Sequence, residues 1–281
     1  LWELLRQVDA SIMLPGTVPS QPAYAAIQDN LRAGRGRTVH FHWTQNGGAI
    51  PLPGQPLPPA HVIDATFQRA VLETDYEALA EHQRRFARAM RGSEVRVTSP
   101  AGTDLRFRIG DRPLNFQDGD ASAARMERAV ILIDREIDLP AGGLRVAPLA
   151  KSVSDTIAFP PSQWDGRPVE GLVLTFEQGR VVAAAADSGL EAVEAELAAA
   201  GPVGRAFREF GLGFNPRLAV PERGQWIPYY GYGDGVVRQA LGDNTELGGA
   251  VGGGYVRWNF FVDTTVTVDG EEWVRAGRLV R

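Results

Sequence analysis

The chain has 281 residues, a formal net charge of −5 and 44% hydrophobic residues, which is the composition of a globular protein with one large core or two smaller ones. The acidic balance argues against nucleic acid as a partner, and no apolar run is long enough to span a bilayer, which argues against a membrane. The chain has no cysteine, so disulfides, thiolate metal sites and a cysteine nucleophile are excluded, and the cytoplasm is the expected location.

The first third predicts a small parallel α/β domain, residues 1–92. Residues 9–14 and 38–43 have the pattern of strands, and residues 21–32 between them have that of an amphipathic helix. Residues 45–60 are rich in Gly and Pro and predict a loop. A long helix is expected from a capping box at Thr74-Asp-Tyr-Glu77 to about residue 91, where Gly92 ends it. The first residues lack a signal-peptide pattern and an initiator Met, which leaves open whether the chain is trimmed.

The remainder, residues 93–281, predicts a β-rich domain with one helix. Short strands are expected at residues 93–98, 104–109, 153–159, 172–176 and 180–185, and the helix at residues 189–200. Two strands at residues 264–268 and 271–274 flank Asp269-Gly270, which is a strong hairpin signal. The segment GYVRWNFFVD, residues 254–263, also predicts a strand. Because side chains alternate across a strand, Arg257 and Asn259 share one face with Tyr255.

Three local patterns offer alternative chemistry. His40 and His42 would lie on one strand face at a spacing that can hold a metal ion, although no carboxylate stands at ligand spacing. Residues 115–120 resemble a calcium loop without its closing Glu, so a polar turn is favoured. The glycines of residues 248–254 lack the Lys and the following helix of a phosphate loop, and no Gly-x-Ser-x-Gly elbow is present.

Four segments carry a resemblance: residues 139–148 (LPAGGLRVAP), 209–216 (EFGLGFNP), 235–242 (GVVRQALG) and 256–263 (VRWNFFVD). In order and spacing they resemble the metallo-aminopeptidases related to aminopeptidase T and aminopeptidase S. The resemblance covers residues 93–281 well and the first third loosely, and the family's further N-terminal α/β unit has no counterpart here. It implies an α/β plus β-rich fold, an α+β catalytic-type domain and a homodimer. The scaffold is shared with 2,5-dihydroxypyridine dioxygenases, so it does not define the reaction.

The resemblance also implies that most of the family's metal ligands are replaced. Of the positions where the family has metal ligands, Glu209 keeps its carboxylate. The other ligand positions hold residues of a different type: Gly143, Arg238, Arg257 and Asn259. Thr245 stands where the family has a tyrosine in its site. One carboxylate cannot hold two metal ions, so we expect no metal and no other cofactor. Two arginines near Glu209 would balance its buried charge and leave a surplus positive charge for an anionic ligand.

From this pattern we predict a metal-independent, hydrolase-type enzyme that acts on a small anionic molecule. Arg238 and Arg257 would hold the anionic group, with Thr245 and Tyr255 beside it. Glu209 would act as general acid or base and Asn259 would orient the substrate.

Lys151 is the only lysine of the chain, and it would be a base or nucleophile if buried beside the arginines, or a surface residue otherwise.

Three alternatives to this prediction stay open. A non-catalytic ligand-binding protein would have Glu209 held in mutual salt bridges with its arginines. A metallo-aminopeptidase with rearranged ligands would bring His40 and His42 close to Glu209. The plain structural alternative is that the arginines only neutralise Glu209 in a dead site.

Overall fold

The computed structural model of the protein describes residues 2–14, 20–41, 48–221 and 226–280. Within these residues the first part alternates strands and helices, as the sequence predicts. Helix α3, which contains His61, lies between the predicted Gly- and Pro-rich loop and the predicted long helix. The elements are α1 (Trp2–Leu5), β1 (Ala10–Met13), α2 (Gln21–Arg32), β2 (Arg37–Phe41), β3 (Ile50–Pro51), α3 (Ala60–Leu72) and α4 (Tyr76–Met90).

The second part is β-rich and contains two helices. Its elements are β4 (Glu94–Thr98), β5 (Asp104–Arg108), β6 (Asn115–Phe116), α5 (Ala123–Glu127), β7 (Glu136–Leu139), β8 (Gly143–Val146), β9 (Ser154–Ala158), β10 (Ser162–Trp164), β11 (Arg167–Val169), β12 (Val173–Glu177), β13 (Arg180–Ala185), α6 (Leu190–Ala200), β14 (Phe207–Gly213), β15 (Trp226–Ile227), β16 (Val237–Gly242), β17 (Val256–Phe261), β18 (Thr265–Val268), β19 (Glu271–Arg275) and β20 (Arg278–Leu279).

The strands form three larger sheets. A parallel sheet has the order β1-β2-β7, so a strand from the second part completes the sheet of the first. An eight-stranded sheet has the order β13-β12-β9-β5-β4-β18-β19-β20, and a five-stranded sheet has the order β17-β16-β14-β8-β6. The fold is therefore α/β plus β-rich, as predicted. The boundary at residue 92 stays a prediction.

The main hydrophobic core lies between the two large sheets and is closed by α4. Phe107 and Leu105 of the eight-stranded sheet, Phe210 of the five-stranded sheet and Phe86 of α4 are almost completely buried in it. Phe210 packs against both Phe86 and Phe107. Burial of each such side chain contributes about 1.5–3 kcal/mol. Since one face of the five-stranded sheet packs in this core, its other face is left for polar residues.

Helix α4 begins one residue later than its capping box predicted. Asp75 is the N-cap residue, and its carboxylate accepts a hydrogen bond from the Ala78 amide at 3.0 Å. The Thr74 hydroxyl donates instead to the carbonyl of Ala70. Asp is at least as good an N-cap residue as Thr, so the cap moves from Thr74 to Asp75.

A second, smaller core attaches the segment that follows β15 to α3. Phe67 of α3 contacts the rings of Trp226 and Tyr229, and Tyr229 contacts Tyr232. This packing carries Tyr232 to the polar face of the five-stranded sheet. None of the helices in the described ranges has the length and apolar character needed to cross a bilayer.

Candidate functional site

The polar face of the five-stranded sheet holds a buried carboxylate surrounded by three arginines. Glu209 is 0% exposed. Its Oε2 accepts hydrogen bonds from Arg145 Nη2 at 2.8 Å and Arg208 Nε at 3.0 Å, and its Oε1 accepts one from Arg145 Nε at 3.3 Å. Arg238 Nε lies 2.8 Å from the same Oε1. The carboxylate therefore has a cationic group at both oxygens.

The strand register explains this convergence. Gly211 of β14 stands opposite Arg145 of β8 on one side and Arg238 of β16 on the other. Glu209 lies two residues before Gly211 and so shares its face. The register shifts between Phe207 and Glu209, and such a bulge lets the consecutive residues Arg208 and Glu209 both reach the cluster.

A second carboxylate completes the cluster. Glu246 accepts a hydrogen bond from Arg145 Nη2 at 2.9 Å and also contacts Arg208 Nη2. Its side chain is 36% exposed, so the cluster reaches the surface there. We call the five residues Arg145, Arg208, Glu209, Arg238 and Glu246 the ion network. Three guanidinium groups face two carboxylates, which leaves a surplus of one positive charge.

The ion network keeps Glu209 ionised. Burial disfavours its charged form, but the charges of Arg145, Arg238 and Arg208 outweigh burial and hold the pKa of Glu209 well below its usual range. A carboxylate with so low a pKa is a weak base and is not protonated near neutral pH. Glu209 is therefore poorly suited to the general acid–base role that the sequence suggested.

Arg238 is the least saturated member of the ion network. Its guanidinium lies 5.7 Å from the ring centre of Tyr232 and 5.6 Å from that of Trp258. Although Nε is close to Glu209, its N–H is not aimed at the oxygen, and Nη2 has no hydrogen-bond partner in the described structure. The residue is only 3% exposed. A buried guanidinium with an unused donor is costly, so this group is a candidate for binding an anion.

Tyr232 occupies the space that a glutamate at position 143 would need. A Cβ atom placed on Gly143 would collide with the Tyr232 ring. The Tyr232 hydroxyl donates a hydrogen bond to Asp138 Oδ2 at 2.8 Å, and Asp138 Oδ1 lies 3.7 Å from His40 Nδ1. The space between Arg145, Tyr232 and Arg238 has essentially no free volume. The residues around Glu209 are thus packed against one another.

A further, partly buried carboxylate lies next to this cluster. Glu136 precedes Asp138 on β7 and accepts a hydrogen bond from the Gln28 amide. Burial raises the pKa of Glu136 to about 7, against the effect of the Gln28 hydrogen bond, and the charges of Asp138 and Glu246 raise it further. Glu136 is therefore a group that titrates near neutral pH.

Arg257 does not pair with Glu209, which corrects the expectation that both arginines face this carboxylate. Residue Arg238 stands opposite Phe260 in the β16–β17 register, so Arg257 and Asn259 point to the other face of the sheet. Arg257 Nη1 donates to Glu196 Oε1 at 2.8 Å, Nη2 donates to the Gln163 carbonyl at 2.7 Å, and Nε donates to Asn259 Oδ1 at 3.2 Å.

The contacts of Arg257 are those of a structural residue. Its guanidinium lies 3.5 Å from the ring centre of Trp164, and its partner Glu196 also accepts a hydrogen bond from the Tyr255 hydroxyl at 2.7 Å. Burial opposes ionisation of Glu196, but hydrogen bonds from the Asp165 amide, Tyr255 and Arg257 lower its pKa. All three guanidinium nitrogens are in use, so Arg257 links β17, β10 and α6.

The remaining predicted residues lie outside the ion network. Lys151 is exposed in a short 3-10 turn after β8, so it lacks the apolar burial that would make it a nucleophile. Thr245 is exposed, and its hydroxyl donates to Asp243 at 2.6 Å. His42 lies outside the described residues, and His40 contacts Asp138 rather than Glu209.

The donor set does not fit the two metal ions that the resemblance implies. In the part of the chain that the structure describes, no three His, Asp or Glu side chains are arranged to share a metal ion. Around Glu209 the neighbouring groups are guanidinium ions, which donate hydrogen bonds and cannot ligate a cation. They would also repel a cation, so the residues around Glu209 do not form a metal site.

An open groove of about 410 Å³ runs beside β17, the edge strand of the five-stranded sheet. We call it the β17 groove. It is large enough for a small organic molecule. Trp258 is 42% exposed and lies both in the lining of the groove and against Arg238. The lining of the β17 groove is mostly apolar and includes Ile50, Pro51, Pro160, Pro161, Trp258 and Phe260.

Sequence reasoning missed Arg145, Arg208 and Glu246. Arg145 could have been predicted, because it lies two residues after Gly143 in a strand and must share its face. Arg208 depends on the β-bulge in β14, and Glu246 depends on a short 3-10 turn at Thr245–Leu247. Neither irregularity has a clear sequence signal.

The comparisons with known proteins agree with this fold. No family model matches the sequence, and no curated protein was found to match it. Among solved structures, 2,5-dihydroxypyridine dioxygenase from Pseudomonas putida KT2440 superposes with a TM-score of 0.65 at 16% identity, covering 99% of this chain and 74% of that one. Wild-type AmpT from Thermus thermophilus superposes with a TM-score of 0.62 at 18% identity, covering 100% of this chain and 78% of that one. The chain therefore has the fold that these two proteins share.

Proposed function

We propose that this protein is a metal-independent ligand-binding member of this fold, and that its ligand is a small molecule with an anionic group and an apolar body. The observation that carries the proposal is the ion network itself. Glu209 is saturated by Arg145, Arg208 and Arg238, so a cation has no place there, while Arg238 keeps an unused donor. The surplus positive charge favours an anion.

The position of Trp258 connects Arg238 with the β17 groove. The indole ring contacts the guanidinium on one side and borders the groove on the other. Because Trp258 is on an edge strand and partly exposed, rotation of this side chain would bring Arg238 into contact with a molecule in the groove. The apolar walls would hold the body of the ligand, and Arg238 would hold its carboxylate or a similar group.

The enzymatic alternative is less well supported by the geometry. It requires Glu209 to exchange protons and Arg257 to face it, whereas Glu209 has a lowered pKa and Arg257 is paired with Glu196. A metallo-aminopeptidase with rearranged ligands would need acidic or imidazole ligands where arginines stand. The homodimer and the cytoplasmic location stay predictions, and light scattering on the purified protein would test the first.

Metal content is the first test of metal independence. Plasma mass spectrometry should find less than stoichiometric metal in protein purified without chelator and then incubated with zinc, manganese, cobalt or iron. Stoichiometric binding that Glu209→Gln abolishes would overturn the proposal and favour a metallo-enzyme.

Ligand binding is tested with matched pairs of probes, aromatic carboxylates and their neutral amides, by isothermal titration calorimetry. We expect the carboxylate to bind at least about tenfold more tightly than its amide. Arg238→Gln should remove this preference, while Arg257→Gln should keep it because Arg257 is already saturated. Equal loss in both variants would restore the two-arginine clamp, and no preference in the wild-type protein would refute an anionic ligand.

A further inference from the structure

A second cavity, separate from the ion network and the β17 groove, has a volume of about 570 Å³. It lies between the outer face of α4, the turn before β6 and the segment around α5. Residues 84, 87, 88 and 91 recur at helical spacing, so they line one wall together. Five arginines line the cavity: Arg84, Arg88, Arg91, Arg125 and Arg128.

The three aspartates of the cavity are already engaged by the protein. Asp118 receives two hydrogen bonds from Arg125 Nη1, at 3.0 and 3.1 Å. Asp134 accepts from the amides of residues 130 and 131 at 3.0 and 3.2 Å, and Asp120 accepts from the amide of Ser122 at 2.9 Å. Five arginines and three aspartates line the cavity, and Glu81, which pairs with Arg84 and Arg88, leaves a surplus of one positive charge.

The arginines of α4 are available at little energetic cost. Arg84 and Arg88 share one carboxylate, that of Glu81, at 3.1 and 2.9 Å. All three side chains are about half exposed or more, and exposed ion pairs of this kind contribute at most about 1 kcal/mol. A ligand anion can therefore replace Glu81 as the partner of these guanidinium groups.

The floor of the cavity is apolar. Ala87 is buried at its base, Leu114 and Phe116 are partly buried, and Val130 is 79% exposed at its rim. An inorganic ion alone would leave this apolar surface exposed to water, whereas a ligand with an aromatic or aliphatic body would bury it. The volume is in the range of pockets that enclose small organic molecules.

We propose that this cavity binds a small organic molecule that carries two negative charges, a phosphate monoester or a dicarboxylate, next to an apolar body. The arginines of α4 and Arg128 would contact the anionic groups, and Leu114 and Phe116 would contact the body. The site uses no residue of the ion network or the β17 groove, so it is independent of the function proposed above.

Isothermal titration calorimetry on the full chain tests this site with phenyl phosphate, phthalate and the neutral probe benzyl alcohol. At least one dianion should bind, and raising the salt concentration should weaken it, whereas benzyl alcohol should not bind. Binding of phenyl phosphate alone would identify a phosphate ester, and binding of phthalate alone a dicarboxylate.

Matched variants locate the binding site. Arg88→Gln and Arg128→Gln should each weaken binding by about fivefold or more, because each removes a charge-assisted contact. Arg275→Gln is the control, since Arg275 is an exposed arginine paired with Glu272 on β19 at 2.6 Å, away from the cavity. The proposal is refuted if no dianion binds, or if Arg275→Gln weakens binding as much as the cavity variants. Circular dichroism confirms that each variant is folded.

Discussion

Replacing Glu209 by Gln tests the ion network most directly. The substitution keeps the shape of the side chain but leaves three guanidinium groups with one carboxylate, that of Glu246, which contacts Arg145 and Arg208. Removing one partner of a buried ion pair costs about 3–5 kcal/mol, because the remaining charge stays buried without compensation. At about 4 kcal/mol, this corresponds to a decrease in Tm of about 8–16 °C for a chain of this size.

Urea unfolding followed by circular dichroism measures this loss. Glu272→Gln is the control, because Glu272 pairs with Arg275 at the surface and its loss should cost at most about 1 kcal/mol. A double-mutant cycle adds Arg238→Gln, and the double variant should be more stable than the sum of the single losses predicts. If Glu209→Gln lowers the free energy of unfolding by no more than the control does, the ion network does not stabilise the fold and the reasoning is wrong.

The pH dependence provides an independent check on the same residue. The pKa of Glu209 is lowered in the folded protein, so its ionisation contributes stability above its unfolded pKa of about 4.5, and this contribution is lost as the pH falls below that value. The stability difference between wild type and Glu209→Gln should therefore be constant near neutral pH and shrink in acid. A difference that stays constant in acid would contradict the lowered pKa.

Three further changes test the surroundings. Glu136→Gln should stabilise the protein at pH 8 by up to about 3 kcal/mol, because the folded pKa of about 7 means that wild-type stability falls as the pH rises from about 4.5 to 7. Urea unfolding at several pH values measures this. If the free energy of unfolding of the two proteins depends on pH in the same way, the prediction is wrong. Arg257→Gln should lower stability by about 1–3 kcal/mol through loss of Glu196 and Trp164, in urea unfolding, and a loss no larger than that of Arg275→Gln would contradict this. Gly143→Glu should reduce Tm without creating metal binding, because Tyr232 fills the space, and stoichiometric metal in that variant would refute the packing argument.

Much of the fold follows from local sequence patterns. The hairpin at Asp269-Gly270 forms where the Asp-Gly pair predicts it, with Val268 opposite Glu271. Helix α2 has the predicted bounds, because its apolar spacing is clear. The sequence placed His61 in a helical region but did not give the bounds of helix α3, since it follows a proline-rich stretch. Pairing of β7 with β2 was also not predictable, because no local pattern records which distant strand completes a sheet.

The candidate site was predictable only in part, and the reason lies in strand register. Glu209 and Arg238 both stand at positions where the resembled family has metal ligands, and the structure brings them together. It could not show that Arg257 faces the opposite side, because the face of an edge strand depends on which residue stands opposite which on β16. A shift of one residue would place Arg257 beside Arg238 instead of Trp258. Trp258, which the resemblance did not indicate, is thus the residue of β17 that contacts the ion network.

Charge balance separates the structural arginines from the functional one. Arg145 and Arg208 each contact both Glu209 and Glu246, so two cations already neutralise two carboxylates. Arg238 is the additional charge, and its Nη2 has no hydrogen-bond partner in the described structure. A residue kept only for stability would not be expected to bury an uncompensated charge. Arg238→Gln should therefore cost less stability than Glu209→Gln while it removes the preference for anionic ligands, and this combination is the mark of a binding residue.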